Sequence, residues 1–251
     1  MKALNYKSIF CGKWSSAGWE LLLLAFFSIA LTACNKEVIS GSGVVITETR
    51  QVPAFSDVVA EGSFRVHLRQ GTDGPVEVTA DDNVMKAIDT YVSGSTLHLR
   101  IKNGVKLHTS RDIDIYVSST QYYGVSFSGA GSVESLDTIK TNRFSYKMDG
   151  SGNARFRIVT DRLETTVDGS GNIQLFGSAT NFYSEINGSG DISGLDLNCQ
   201  DANLSVKGSG NHTLSVSHSL DVSIRGSGDV RYKGAATIRS DIKGSGKIIK
   251  L

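Results

Sequence analysis

Residues 165–173 read Thr165-Thr166-Val167-Asp168-Gly169-Ser170-Gly171-Asn172-Ile173, and residues 184–192 read Ser184-Glu185-Ile186-Asn187-Gly188-Ser189-Gly190-Asp191-Ile192. The second stretch repeats the first, with nearly every class of side chain kept in place. The Gly-Ser-Gly at its centre starts at Gly150, Gly169, Gly188, Gly208, Gly226 and Gly244, after a degenerate copy, Gly129-Ala130-Gly131. The steps between first glycines are 21, 19, 19, 20, 18 and 18 residues. A fixed period near 20 predicts a solenoid in which each repeat stacks on the one before it.

Each tripeptide is preceded by period-two alternation. Two positions before the first glycine stand Met148, Val167, Ile186, Val206, Ile224 and Ile242. Six before it stand Phe144, Leu163, Phe182, Ala202, Leu220 and Ile238. The residues between them are mostly polar, so the segment predicts a strand with one buried face. A second strand follows each corner, for example Ala154, Phe156 and Ile158, or Ile173 and Leu175. Two short strands and two turns fit one repeat, and no window supports a helix there. Twelve glycines in six tripeptides would destabilise regular structure by about 0.5–1 kcal/mol each relative to alanine. The corner therefore needs them, for φ > 0 or for close approach of neighbouring coils. Asn153, Asn172, Asp191, Asn211 and Asp229 follow the corners and suit them, and stacked asparagines form side-chain ladders. The expected fold is an all-β parallel β-helix, or β-solenoid, with coils of 18–21 residues. An antiparallel sandwich is the rival, but it does not require the same tripeptide at every corner.

The N-terminus reads as a leader. Lys2, Lys7 and Lys13 precede the apolar run Leu21–Leu31, which ends in Leu31-Thr32-Ala33-Cys34. The run is short for a membrane span of about 20 residues. The sequence around Cys34 resembles a bacterial lipobox, which implies removal of residues 1–33 and lipidation of Cys34. Residues 34–43 then read as the lipidated cysteine and a tether. Asn35 stands where some bacterial lipoproteins carry an aspartate for inner-membrane retention, which favours the outer membrane, facing either the cell surface or the periplasm. Cys199 is the one cysteine left in the mature chain, so no internal disulfide forms, and it reads as a small buried residue.

Residues 44–120 read as an N-terminal lobe of the same solenoid with looser repeats, and 121–251 as the regular Gly-Ser-Gly solenoid. Asp81-Asp82-Asn83-Val84-Met85 predicts a short helical turn capped by Asp81 or Asp82. The stretch Phe55-Ser56-Asp57-Val58-Val59-Ala60-Glu61-Gly62-Ser63-Phe64-Arg65-Val66-His67-Leu68-Arg69-Gln70-Gly71, together with the repeats around Gly169 and Gly188, resembles the head GIN domain family of auto-transporter adhesins, which includes many bacterial envelope lipoproteins. The resemblance covers roughly residues 44–251 and implies a β-solenoid on the cell envelope. It supplies no catalytic residues, and no translocating barrel accompanies the repeats.

The 251 residues carry a net charge of +1 with no basic stripe, which sets nucleic-acid binding aside. No histidine falls in a metal-binding spacing, no cofactor or metal motif is present, and the Gly-Ser-Gly runs open no helix that would hold a phosphate. Asp149 and Asp168 fall in one column and would hold calcium if the chain were a carbohydrate-active β-helix enzyme. A solvated polar row is the favoured reading of them. His212 falls at an inward register. Stacked corners place Ser151, Ser170, Ser189, Ser209, Ser227 and Ser245 in a flat stripe, which reads first as a turn-making edge and otherwise as a surface that would accept a glycan or a protein subunit. The stretch Lys247-Ile248-Ile249-Lys250 would either discourage strand pairing through its lysines or meet a second copy in a homo-oligomer. The leading expectation is a non-catalytic, lipid-anchored, adhesin-like binding or structural module. Beside it stand a polysaccharide lyase or hydrolase and a periplasm-facing envelope scaffold.

Overall fold

In the computed structural model, residues 37–109 and 111–251 are described. The leader at 1–33 and the lipidation site Cys34 lie outside the described residues. The first strands are β1 (Glu37–Ser40), β2 (Val45–Arg50), β3 (Asp57–Glu61), β4 (Phe64–Gln70) and β5 (Val76–Asp81). The one-turn helix α1 (Asp82–Met85) leads to β6 (Ile88–Ser93), β7 (Thr96–Ile101), β8 (Val105–His108) and β9 (Ile113–Ser119). Then come β10 (Gly124–Gly129), β11 (Ser132–Lys140) and β12 (Arg143–Gly150). Four long strands follow, β13 (Asn153–Gly169), β14 (Asn172–Gly188), β15 (Ile192–Gly208) and β16 (His212–Gly226), before β17 (Val230–Lys233), β18 (Thr237–Gly244) and β19 (Ile248–Lys250).

The architecture is the expected parallel β-solenoid. Gly150 pairs in register with Gly169, Gly169 with Gly188, Gly188 with Gly208, Gly208 with Gly226, and Gly226 with Gly244. These ladders are parallel, which rules out the antiparallel sandwich. The unequal steps are absorbed away from the tripeptides, in bulges between Gln174 and Phe176 and between Gly194 and Asn198. A bulge needs room for an extra residue, and the corner has none.

The structure corrects the expectation of two turns per repeat. β13, β14 and β15 each run 17 residues without a break. The far bend lies inside the strand, because ladder partners persist through it, as at Val159 with Ser178 and Thr160 with Ala179.

The N-terminal coils also stack differently from a simple succession of looser repeats. β7 lies against β3 and β9 against β4 on one side, while β10 and β11 lie against β3 and β4 on the other. The coil formed second in the chain is therefore the outer one. β6 pairs antiparallel with β7, β5 with β9, and β2 with β5. These antiparallel strands cover the end of the parallel stack, whose backbone groups would otherwise be a template for further pairing. Residues 37–40, expected as tether, form β1 and pair in parallel with β8, and Ile39 and Leu107 pack against the core. Asp81 occupies the N-cap position of α1 without a side-chain capping bond. Asp82 Oδ1 accepts from the Asn83 N–H at 2.6 Å instead.

Inside the coils the apolar columns are filled. Phe127, Met148, Val167, Ile186, Val206 and Ile224 are all fully buried. Each such aliphatic contributes about 1.5–3 kcal/mol. The columns lose their cover at β18, where Ile238 and Ile242 are each 39% exposed.

Candidate functional site

The corner requires its glycines for both expected reasons. Gly188 has φ of +145°, and a Cβ there would lie 2.0 Å from the carbonyl oxygen of Gly169 one coil below. Gly190 has no positive φ, yet its Cβ would lie 2.1 Å from the Gly171 oxygen. Coils stacked about 4.8 Å apart leave no side-chain space where backbone lies directly over backbone. The serine between the glycines points outward, and its N–H continues the stack, as from Ser189 to the Gly169 carbonyl at 2.9 Å. Ser151, Ser170, Ser189, Ser209, Ser227 and Ser245 are therefore aligned and exposed. The Ser245 hydroxyl donates to that of Ser227 at 3.1 Å.

Beside the stripe runs the asparagine–aspartate ladder. Asn172 Oδ1 accepts from the Asp191 N–H at 3.2 Å, and Asp191 Oδ1 from the Asn211 N–H at 2.9 Å. Asn211 Oδ1 accepts from Asp229 at 2.9 Å, and Asp229 Oδ1 from Lys247 at 3.0 Å. Each side chain satisfies a backbone donor in the next coil. This explains the preference for these residue types after the corner without invoking a ligand.

A concavity of about 540 Å³ lies on the outer face of β3, β7, β10, β12 and the second half of β13. The register aligns Thr96, Asp57, Gly124, Ser145 and Glu164 across it, so the row lacks a side chain at its centre. The φ of Gly124 is not in the positive range that favours glycine. A Cβ there would meet only Asp57 Oδ1, at 2.7 Å, within the tightest range. On β12, Arg143 and Lys147 stand two residues either side of Ser145. The Arg143 guanidinium lies 5.2 Å from the centre of the Tyr123 ring. Arg162 pairs with Glu164 and lies over Tyr183, and Lys147 lies 3.8 Å from Asp168.

The sequence reading missed a charged cluster on the outer face of β9, β4 and β11. His67 Nε2 lies 3.0 Å from Asp114 Oδ1, its Nδ1 lies 2.8 Å from Glu134 Oε1, and its ring stacks on Tyr116 at 4.4 Å. Arg65 donates to both oxygens of Asp114. Burial pushes the Asp114 carboxyl up, but the bonds from Arg65 and His67 outweigh it and hold it below its usual range. These residues meet only because β9, β4 and β11 stack in that order. Their alternation with apolar residues marked them as outward-facing, and nothing in the sequence marked them as neighbours.

Asp149 and Asp168 are register partners, as expected. Asp168 is engaged by Asn187, whose amide donates to it at 2.8 Å, and by Lys147. Among the described residues no group of three histidine, cysteine or acidic side chains converges as metal ligands would. Cys199 is buried, its thiol donates to the Ser215 carbonyl at 3.0 Å, and burial pushes its pKa up to about 12, which disfavours the thiolate. His212 is fully buried, with Nε2 2.8 Å from the Ser184 hydroxyl and Nδ1 without a partner among the described residues. Thr165 donates to Ser184 at 2.8 Å. This serine–histidine contact is sealed inside the core, away from any substrate.

A family model described as "Putative auto-transporter adhesin, head GIN domain" matches residues 54–236. Among solved structures, a "putative adhesin" from Bacteroides fragilis is 27% identical with a TM-score of 0.79, the match covering 85% of this chain and all of that one. A "putative lipid binding protein" from Parabacteroides distasonis is 24% identical with a TM-score of 0.71, covering 86% of this chain and all of that one. A "putative adhesin" from Parabacteroides merdae is 21% identical with a TM-score of 0.70, covering 86% and 99%. The latter two share the fold. No curated protein matches the chain.

Proposed function

This chain belongs to the head GIN domain family, and on that premise we propose that it is a non-catalytic, adhesin-like binding module of the bacterial envelope, held to the outer membrane by lipid on Cys34. The observation that carries the reading is the match over the whole length of the Bacteroides fragilis structure. The geometry supports it. The solenoid interior is packed with side chains, so ligands are left with the outer faces and the corner edge. The exposed serine stripe and the concavity over Gly124 are the surfaces on offer, for a glycan or a protein. The packed columns speak against carrying a lipid chain inside the coils. The engagement of Asp168 by Asn187 and Lys147 weighs against a calcium-dependent polysaccharide-cleaving site.

Protease shaving of intact cells carrying the tagged protein tests the reading. Digestion without lysis is the expected result. Protection until the outer membrane is opened would replace the adhesin with a periplasm-facing scaffold. Cleavage of an acidic polysaccharide that is lost on Asp168→Asn substitution would replace it with an enzyme.

A further inference from the structure

The concavity over Gly124 combines three features that the fold itself does not require. The first is the glycine. Gly124 neither has positive φ nor lies under a neighbouring coil's backbone at less than 3.8 Å. In this it differs from the corner glycines, and its absent side chain opens the floor of the trough. The second is Arg143, an exposed guanidinium with no hydrogen bond or ion pair from its side chain among the described residues. It is held over the Tyr123 ring, which fixes the direction of its donors. The third is Asp57. The Ser56 hydroxyl donates to its Oδ2 at 2.8 Å. Its Oδ1 lies 2.7 Å from the position a Gly124 Cβ would take, directly over the bare floor.

An uncommitted guanidinium and an uncommitted carboxylate oxygen thus face one trough, and Ser145 stands in the register row of Asp57, two residues along β12 from Arg143. A simple anion would bind Arg143 but would be repelled by Asp57. A neutral sugar would satisfy Asp57 and Ser145 but leave Arg143 unused. A saccharide bearing a carboxylate beside its hydroxyls satisfies all three, through a bidentate pair to Arg143 and hydroxyl donors to Asp57. Tyr123 adds an aromatic ring at the margin. The trough crosses from β7 to β13, four strand spacings or about 19 Å, which suits an extended chain of several sugar units.

We propose that the trough over Gly124 binds a segment of acidic glycan, with Arg143 recognising the carboxylate and Asp57 and Ser145 the hydroxyls. The inference rests on the binding-module reading above and names the ligand class of one of its surfaces.

The test is calorimetric titration of the purified chain with tetragalacturonate, with maltotetraose and a short polyglutamate peptide as controls. Tetragalacturonate is expected to bind and the controls not to. Arg143→Gln and Gly124→Val are each expected to weaken binding by at least about tenfold, the effect of one lost charge-assisted contact or a filled floor, and Arg143→Gln is expected to do so without moving the melting midpoint. Absence of tetragalacturonate binding, equal binding of polyglutamate, or binding unchanged by Arg143→Gln would overturn the proposal. Adhesion of cells carrying each variant separates the two readings. If Arg143→Gln leaves adhesion intact while deletion of the protein abolishes it, the trough is not the site and the adhesin reading stands. If deletion changes nothing, the adhesin reading itself fails.

Discussion

His212 makes the stability of the solenoid depend on pH in a way that one substitution isolates. Its ring is completely buried, between Ile192 and Val230 in the register. Burial depresses its pKa from 6.5 to about 3, opposed only by the nearby Asp191 carboxylate. Ser184, which accepts from Thr165, lies against Nε2, and Nδ1 has no partner among the described residues. A second proton would charge an imidazole that has no counter-ion within the core. Below pH 6.5 the unfolded chain therefore binds a proton that the folded chain refuses. Stability falls as the pH falls, and the loss ends only near pH 3, where both states are protonated. The slope is ~1.4 kcal/mol per pH unit, so ~2.5 kcal/mol is lost between about pH 7 and about pH 4.5.

His212→Ile continues the aliphatic column and removes the titration. Near pH 7 the change should be small, because losing the Ser184 contact offsets removal of the buried, unpartnered Nδ1. Urea unfolding followed by far-ultraviolet circular dichroism, for both proteins at both pH values, gives the difference directly. Carboxylates held low by their partners, such as Asp114 and Asp201, lose their contribution in both proteins and cancel. The wild type should lose ~2.5 kcal/mol more than the variant on acidification. Equal losses within about 0.5 kcal/mol would show that the histidine is hydrated or paired, and the reasoning would fail.

The corner should tolerate change at its serines and not at its glycines: Gly190→Ala is expected to destabilise by about 2–4 kcal/mol and Ser189→Ala by less than about 0.5, read from thermal midpoints. Ile224→Ala should destabilise by about 2–5 kcal/mol, because it leaves a cavity in a filled column, whereas Ile242→Ala in β18, where the side chain is 39% exposed, should be far milder. Equal effects at Ile224 and Ile242 would mean that the edge of β18 is covered in solution, and sedimentation at two concentrations would show whether a second copy covers it.

The regular solenoid was legible because one physical constraint recurs. Each corner brings backbone over backbone, so glycine returns at the coil period, and the apolar columns return with it. From that beat the register on either side of each tripeptide follows, including the burial of His212 and the alignment of Asp149 with Asp168, while the bulges that absorb the unequal steps do not. The serine stripe was legible for the same reason, as the residues left pointing outward between obligatory glycines. The asparagine ladder was likewise legible, because its members occupy one position in every repeat.

The first three coils were not legible in this way. Their glycines and apolar residues show strands, but nothing local states that β7 and β9 lie outside β3 and β4, or that β5 and β6 turn back antiparallel to cover the stack. Long-range pairing among strands of similar pattern decides that order. The cluster of His67, Asp114 and Glu134 and the trough under Arg143 both arise from it. Asp57 and Ser145 are far apart in the chain and become neighbours of Gly124 only when β3 and β12 take opposite sides of β10. The sequence by itself determined the coil, its corner chemistry and its filled interior, because these are set by period and side-chain size. Only the tertiary structure decided which outward residues share a surface, because that depends on stacking order, and backbone ladders accept one parallel strand as readily as another.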